Sequence, residues 1–452
     1  MLLWLVSNPA AAEDWTLRDA VAHALAHNVE LRQAVLDTET AEASLVETRA
    51  GWGPSLAAAA GVASVAAGGE VEGGLGWSVG VSQPLPTGGT VWVGGSQDQA
   101  IARQLADASV SSFTGVTVDQ PVLEGAWGAA GYARAQGVFA AEGARLRERD
   151  AREGLVVEVA NAYWELVAAR ERERLAVRSV EIAEQQLEDT RERFAEGFAG
   201  SGDVLQLERA LGVAKQSRVV ADAAESSSER ALMRQIGVPL AEARPLNLVD
   251  RPDPKVLDLS FEASLARART ANVSWLLAQL ALASAKRDLA ANRNNALPDL
   301  SVSGSVGLTE DAGVVDTFGP SATQSWALGA SLSVPLAWSG TVAGLRSGDL
   351  TMQRAQLDAE AAWEDLQGQV ASALQAVERD QLRVALAEAT LQAAQAGLDA
   401  DQDLYREGRG STRDVVRSLE SLEEAQVAGL TAQIDLQSSL LTLARLEGRV
   451  LE

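Results

Sequence analysis

The stretch Arg193-Phe-Ala-Glu-Gly-Phe-Ala-Gly-Ser-Gly-Asp-Val-Leu-Gln206 returns, loosely, as Leu404-Tyr-Arg-Glu-Gly-Arg-Gly-Ser-Thr-Arg-Asp-Val-Val-Arg417. Each interrupts a run rich in Ala, Leu, Glu and Arg. Glycine is costly inside a helix and suited to its end, while Asp suits the first turn of the next one. Both stretches therefore read as helix, reversal, helix. A reversal written twice in the same terms points to a duplicated chain, and that duplication decides the fold.

Working outward, an offset of 244 lays Asn28-Val29 on Asn272-Val273, Leu45 on Leu289 and Pro54 on Pro298 without a gap. An offset of 211 lays Val159-Ala160 on Val370-Ala371, Gly197 on Gly408 and Asp203-Val204 on Asp414-Val415. The offsets 244 and 211 differ by 33, so the first copy carries about that many extra residues between Leu56 and Val159. The order predicted for each copy is a helix (16–50; 260–295), a Gly/Ser/Val-rich zone, a long helix (127–195; 341–406), the Gly turn, and a return helix (203–236; 413–448). The resulting plan is a signal-peptide remnant over 1–12, a first repeat over 13–240 with strands in 55–121, a linker over 241–258, and a second repeat over 259–452 with strands in 299–336.

The long helices carry heptads. Val377, Val384, Leu391, Leu398 and Tyr405 recur at sevens, as do Leu166, Val180, Leu187 and Phe194, with Glu173 as the break. Alanines such as Ala176, Ala183, Ala387 and Ala394 follow three residues on, a large-then-small pattern suited to close, left-handed supercoiled packing. At about 1.5 Å per residue such a helix is on the order of 100 Å long.

The Gly/Ser zones alternate with period two. Leu300, Val302, Val306 and Leu308 share a face with Gly304, while Ser301, Ser303, Ser305 and Thr309 share the other. Trp326, Leu328, Ala330, Leu332, Val334 and Leu336 repeat the pattern. Strands greasy on one side and small-polar on the other match outer-membrane barrel staves better than a half-buried soluble sheet. The grammar is weaker in Leu56–Val65 and clear in Trp77–Val81. A further pair, Val91–Gly95 and Phe113–Val118, predicts one added hairpin and six strands in place of four.

The 452 residues include 39 Gly, 12 Pro, 11 Trp and no Cys, with a net charge of −24. The missing cysteines exclude disulfides, thiol chemistry and a thioether lipid anchor. The acidic balance argues against nucleic-acid binding, which needs a basic face. No apolar run is long enough for a transmembrane helix. Met1–Ala12 resembles the tail of a secretory signal cleaved after Ala12.

This order of elements, written twice, resembles the TolC-like outer membrane efflux protein family. The resemblance rests on Asn161-Ala-Tyr-Trp-Glu-Leu166, on the tip Phe194-Ala-Glu-Gly…Asp203-Val-Leu205 and its partner Tyr405-Arg-Glu-Gly…Asp414-Val-Val416, and on Gln235-Ile-Gly-Val-Pro239. It covers about residues 15–450 and implies an α+β fold. In it, duplicated long antiparallel coiled-coil helices form a periplasmic α-barrel, and a β-barrel in the outer membrane of a Gram-negative bacterium is shared by a homotrimer. It further implies a passive exit duct for a tripartite efflux pump or type I secretion system, fed by an inner-membrane pump through a periplasmic adaptor. The extra hairpin departs from the family's usual strand number.

Asp203 and Asp414 fall at the starts of return helices, where an acid caps orphan N–H groups. The resemblance also implies a periplasmic gate: Asp414 in a ring of acids, Tyr405 in the network that holds it shut, Arg417 where the family has a second acid, and Asp203 on the other tip. Phe194, Gly197, Ser201, Gly408, Gly410 and Thr412 make the turns where an adaptor would dock. Other patterns reduce to structure. His23 and His27 are spaced for two metal ligands but lack a third and read as helix surface. Gly68–Gly76 lacks the Lys of a phosphate loop and reads as a plain loop; Gly88-Gly89 reads as a turn. Several of Trp4, Trp15, Trp52, Trp77, Trp92, Trp127, Trp326 and Trp338 suit an interfacial belt. No catalytic constellation and no cofactor site can be assembled, so an enzyme is not expected. The rival function is a soluble elongated coiled-coil scaffold or periplasmic adaptor without a pore, which leaves the alternating strands unexplained.

Overall fold

The helix expected over 16–50 is two helices. In the computed structural model, which describes residues 14–67, 70–101, 109–126, 131–239, 245–252, 260–312, 322–334, 338–407 and 409–451, α1 (Leu17–His27) gives way to α2 (Val29–Ala50). Thr16 caps α1: its hydroxyl accepts from the Asp19 N–H at 3.1 Å and donates to the Asp19 carboxylate at 2.6 Å. At the break, Asn28 adopts an extended conformation and accepts from the N–H groups of Glu30 and Leu31. The Asn28 side-chain amide also donates to the Gln235 carbonyl. Asn272 divides α5 (Phe261–Ala271) from α6 (Val273–Asn294) in the same way, its side chain accepting from the Trp275 N–H. Asn ends one helix and caps the next, while the apolar periodicity runs on across it.

The long helices are α3 (Gly131–Ala195) and α7 (Trp338–Arg406), each followed by a return helix, α4 (Ser201–Ile236) and α8 (Thr412–Leu446). Their heptad residues Leu166, Val180, Leu187, Val377, Val384 and Leu398 are buried. Phe194, the last of its series, is 48% exposed.

Six strands form one antiparallel sheet in the order β2-β3-β4-β5-β7-β8. They are β2 (Ser55–Ala67), β3 (Glu70–Pro84), β4 (Thr90–Ile101), β5 (Ser109–Pro121), β7 (Asp299–Ala312) and β8 (Thr323–Ser333). The Gly-rich run read as a loop is corrected: Glu70–Gly76 lies inside β3, paired with β2 along its length and with β4 from Gly73 onward, while Gly68 and Gly69 fall outside the described residues. Ladders on both sides outweigh the weak strand preference of glycine. Gly88, with φ of 91°, makes the β3–β4 turn by donating to the Leu85 carbonyl.

Two compact units divide these elements. One contains residues 14–36, 146–276 and 362–451 among those described; the other contains 37–145 and 277–361. In the first unit, Leu155, Val159, Tyr163, Leu166, Leu232 and Ile236 form one apolar core, and Leu366, Val370, Val377, Leu436 and Leu443 form another. The segment expected as linker contributes a short strand, β6 (Asn247–Leu248), which pairs in parallel with β1 (Asp14–Trp15). Tyr163 fixes this pair: its hydroxyl donates to the Trp15 carbonyl at 3.0 Å and accepts from the Asp250 N–H at 3.2 Å. In the second unit, the sheet is accompanied by segments of α2, α3, α6 and α7. Arg145 on α3 pairs with Glu42 on α2 at 2.7 Å, and Ser284 on α6 donates to Gln136 on α3 at 3.0 Å. The signal remnant, Trp4, Trp127, Leu336 and Gly408 lie outside the described residues.

Candidate functional site

The first helix reversal follows from one glycine. Gly197 has φ of 82°, where a Cβ would be strained, and its N–H donates to the Phe194 carbonyl. Ser201 opens α4, and the Gly200 N–H donates to the Asp203 carboxylate at 3.0 Å. Asp203, in the first turn of α4, thus closes back on the Gly200 cap, with its charge beside the positive end of the helix dipole. Phe194, Phe198 and Leu205 are exposed around this turn, Phe198 by 82%.

The second reversal uses different atoms. The N–H groups of Arg409 and Gly410 both donate to the Leu404 carbonyl at 2.9 Å. Ser411 caps α8, which begins at Thr412; the Ser411 hydroxyl donates to the Asp414 carboxylate at 2.6 Å and accepts from the Asp414 N–H at 3.3 Å. The Ser411 hydroxyl chiefly, helped by the Ser411 backbone and the nearby Arg417 and Arg413, holds the Asp414 carboxyl below its ordinary value and outweighs the opposing cost of burial.

The two tips meet. The Arg193 guanidinium lies 4.5 Å from the centre of the Tyr405 ring, and Arg413 donates to Gln206 at 3.5 Å. Tyr405, Asp414 and Arg417 therefore share one end of the helical unit with Phe194 and Asp203. Behind the tips, a cleft of about 1020 Å³ separates the two hairpins, lined in part by Gln186, Gln206, Gln395, Gln402 and Glu423. Burial pushes the Glu423 carboxyl up, against a hydrogen bond from Ser179. Ser418 hydrogen-bonds both Asp401 and the Asp414 carbonyl, tying the start of α8 to α7. Sequence reasoning missed Arg193, Arg413, Ser411 and Ser418. A Ser three residues before Asp was the signal for Ser411; the others depend on which helices become neighbours.

The sheet has two unlike faces. Register sets Leu56 opposite Val81, Val79 opposite Gly95, Val93 opposite Val116, Val116 opposite Val306, and Val306 opposite Trp326, all on one side. These apolar side chains are outward and uncovered: Leu56 is 75% exposed, Val306 61%, Trp326 80% and Leu328 74%. The other face is small and polar, as where Ser301 and Ser331 hydroxyls meet at 2.7 Å. Trp77 and Trp326 stand on the apolar face, whereas Trp92 stands on the polar one and Trp15 packs against the helical core, so neither joins a belt on the apolar surface. Among the described residues, the outer strands β2 and β8 each have an unpaired edge.

The two histidines have backbone partners. His23 Nδ1 lies 2.8 Å from the Ile236 carbonyl and His27 Nδ1 3.0 Å from the His23 carbonyl, with the rings stacked at 4.1 Å. Among the described residues no group of His, Cys, Asp and Glu is arranged to hold a metal ion, and no helix is long and apolar enough to cross a membrane.

Comparison with known proteins gives concordant results. The sequence profile of the family described as outer membrane efflux protein matches residues 20–238 and 264–449. Outer membrane protein TolC of Vibrio cholerae is 22% identical over 302 residues, which is 65% of this chain and 68% of that one. A membrane protein from Pseudomonas aeruginosa superposes with a TM-score of 0.73 at 21% identity, over 98% of this chain and 95% of its own. The CmeC outer membrane channel of Campylobacter jejuni superposes with a TM-score of 0.74 at 18% identity, over 99% of this chain and 90% of its own.

Proposed function

The chain belongs to the outer membrane efflux protein family and is an efflux channel of the outer membrane; on that premise we propose that three copies join to make one passive exit duct, gated at its periplasmic end. The observation that carries the trimer is the sheet, with its uncovered apolar face and two open edges. Lipid suits the apolar face, and it forbids unpaired backbone groups, so β2 of one copy must meet β8 of the next until the ring closes. All six strands lie in one continuous hydrogen-bonded sheet, so all six enter the barrel. Three copies then give eighteen strands, a number that leaves an aqueous lumen. The two halves of the chain, 13–240 and 259–452, act as structural repeats joined by the 241–258 segment, each supplying one helix–turn–helix to the periplasmic wall.

The tips are the gate and docking end. Threefold symmetry brings together three copies of Asp414, each flanked by Arg417, while the Arg193–Tyr405 contact latches one hairpin to the other. Phe194, Gly197, Ser201 and Gly410 offer the surface for a periplasmic adaptor, which links the duct to an inner-membrane pump. The protein moves solutes and performs no chemistry on them. A scaffold without a pore would leave the sheet's apolar face without a solvent that suits it.

Fractionation and planar-bilayer recording test this reading. A heat-modifiable trimer in the outer membrane that carries ion current is expected. A monomer that stays in buffer without detergent and carries no current would overturn it.

A further inference from the structure

Four glycines stand in register across four strands on the polar face of the sheet. Gly80 pairs with Gly94, Gly94 with Gly115, and Gly115 with Gly307. Two aromatic rings roof this row. A Cβ on Gly80 would stand 2.5 Å from the Trp92 ring, and one on Gly94 would stand 2.6 Å from it. The Phe113 ring covers Gly115 and Gly307 alike, at 2.8 Å from either added Cβ. Trp92 and Phe113 lie on neighbouring strands and both fold onto the row, Trp92 reaching over β3 and Phe113 over β7, so that together they cover it from end to end. Their ring centres are 6.4 Å apart and their planes differ by only 20°. Side chains longer than a hydrogen atom at the four glycines would force both rings off the sheet.

The rings are half-buried: backbone covers one side, and the other is presented along the polar face. Each ring has a carboxylate as a diagonal cross-strand neighbour. Asp98 pairs with Ser111, two residues from Phe113, and Asp119 pairs with Thr90, two residues from Trp92. Diagonal neighbours have Cα atoms about 7–8 Å apart, within reach of a molecule lying on the rings. None of the six strands contains a Lys or Arg. A flat π-surface bracketed by carboxylates, with no opposing cation, favours a flat solute that carries positive charge.

We propose that Trp92 and Phe113 form an aromatic plate on the lumen wall that binds planar aromatic cations, with Asp98 and Asp119 supplying the charge preference. The location in the lumen rests on the trimeric-duct reading above; the binding chemistry does not. The glycine row holds the rings flat, so the plate offers contact area without narrowing the passage.

Fluorescence anisotropy of 9-aminoacridine with the detergent-purified protein tests the plate without any current. Replacing the rings together, Trp92→Leu with Phe113→Leu, is expected to weaken binding about tenfold. Asp98→Asn with Asp119→Asn is expected to weaken it severalfold while leaving the rings in place, and Gly80→Ala, which lifts Trp92, should weaken it as well. Tetraethylammonium, charged but not flat, should fail to displace the probe. Acridine affinity unchanged in the ring variant overturns the plate. If that variant does not assemble, unchanged affinity in both the Asn pair and Gly80→Ala overturns it. A conducting trimer whose acridine binding ignores these residues sinks the plate alone; ring-dependent binding in a protein that carries no current sinks the duct and keeps the plate.

Discussion

Ser411 and Asp414 hold each other at the start of α8, and in the proposed gate that pair sets how the tip responds to acid. The Asp414 carboxyl is held below its ordinary value, so its stabilising charge is present above the usual Asp range and is lost as pH falls through the lowered value. Ser411→Ala removes the main cause. The acid midpoint of cation block in single-channel recordings should then move up toward the ordinary carboxylate value. Asp414→Asn should abolish that block and raise conductance; unchanged block would remove Asp414 from the proposed gate. Tyr163 is the corresponding residue in the core. It was legible in Asn161-Ala-Tyr-Trp-Glu-Leu166 only as part of a resemblance, because its partners Trp15 and Asp250 lie far off in sequence. Tyr163→Phe takes the acceptor from the Asp250 N–H and one of two donors from the Trp15 carbonyl, which keeps the Val249 N–H, and should cost about 1–3 kcal/mol, read as a lowered thermal midpoint of the helical circular dichroism signal. Arg193 and Arg413 were not legible at all. An arginine on a helix face reads as a solvated charge until the neighbouring hairpin is in place.

At the scale of elements, the heptads and the period-two strands were plain because each repeats one physical rule many times. Val377, Val384 and Leu398 are buried as their spacing requires, and Ser301 and Leu300 fall on opposite faces. What the periodicity hid was local. Asn28 and Asn272 break their helices without disturbing the apolar register, and Glu70–Gly76 forms strand where composition reads as loop. The α7–α8 pair carries a buried charge that periodicity also hid. Asp380, 1% exposed, accepts from Arg379 at 2.9 Å and from Ser439 at 2.6 Å, with Arg383 at 3.3 Å. Burial pushes the Asp380 carboxyl up, but the hydrogen bonds from Arg379 and Ser439 and the arginine charges outweigh it and leave the carboxyl low. Its stabilisation is therefore present above the ordinary Asp value and disappears as pH drops through the lowered one. Asp380→Asn should lower the thermal midpoint at neutral pH and flatten its fall below about pH 4. An acid limb identical to wild type would show that Asp380 does not shape it.

At the scale of the whole molecule, the apolar face of the sheet decides what surrounds it. Leu328 on β8 is 74% exposed and faces the side shared with Val306 and Trp326. Leu328→Arg should cost about 2–4 kcal/mol if that side meets the middle of a bilayer, and should reduce the yield of heat-modifiable trimer in outer-membrane fractions. The same substitution on a water-facing surface would leave yield unchanged. The edges carry a further consequence. β2 is built largely of alanine, whereas β8 sets Trp326, Leu328 and Leu332 against a serine-rich face, so in the proposed trimer the seam between copies is head-to-tail, with two unlike partners. Such a ring tolerates no spoiled link: a subunit with a sound β8 and a ruined β2 would still be accepted at one border and then halt growth at the other. Made alongside the normal chain, it would poison assemblies far out of proportion to its abundance.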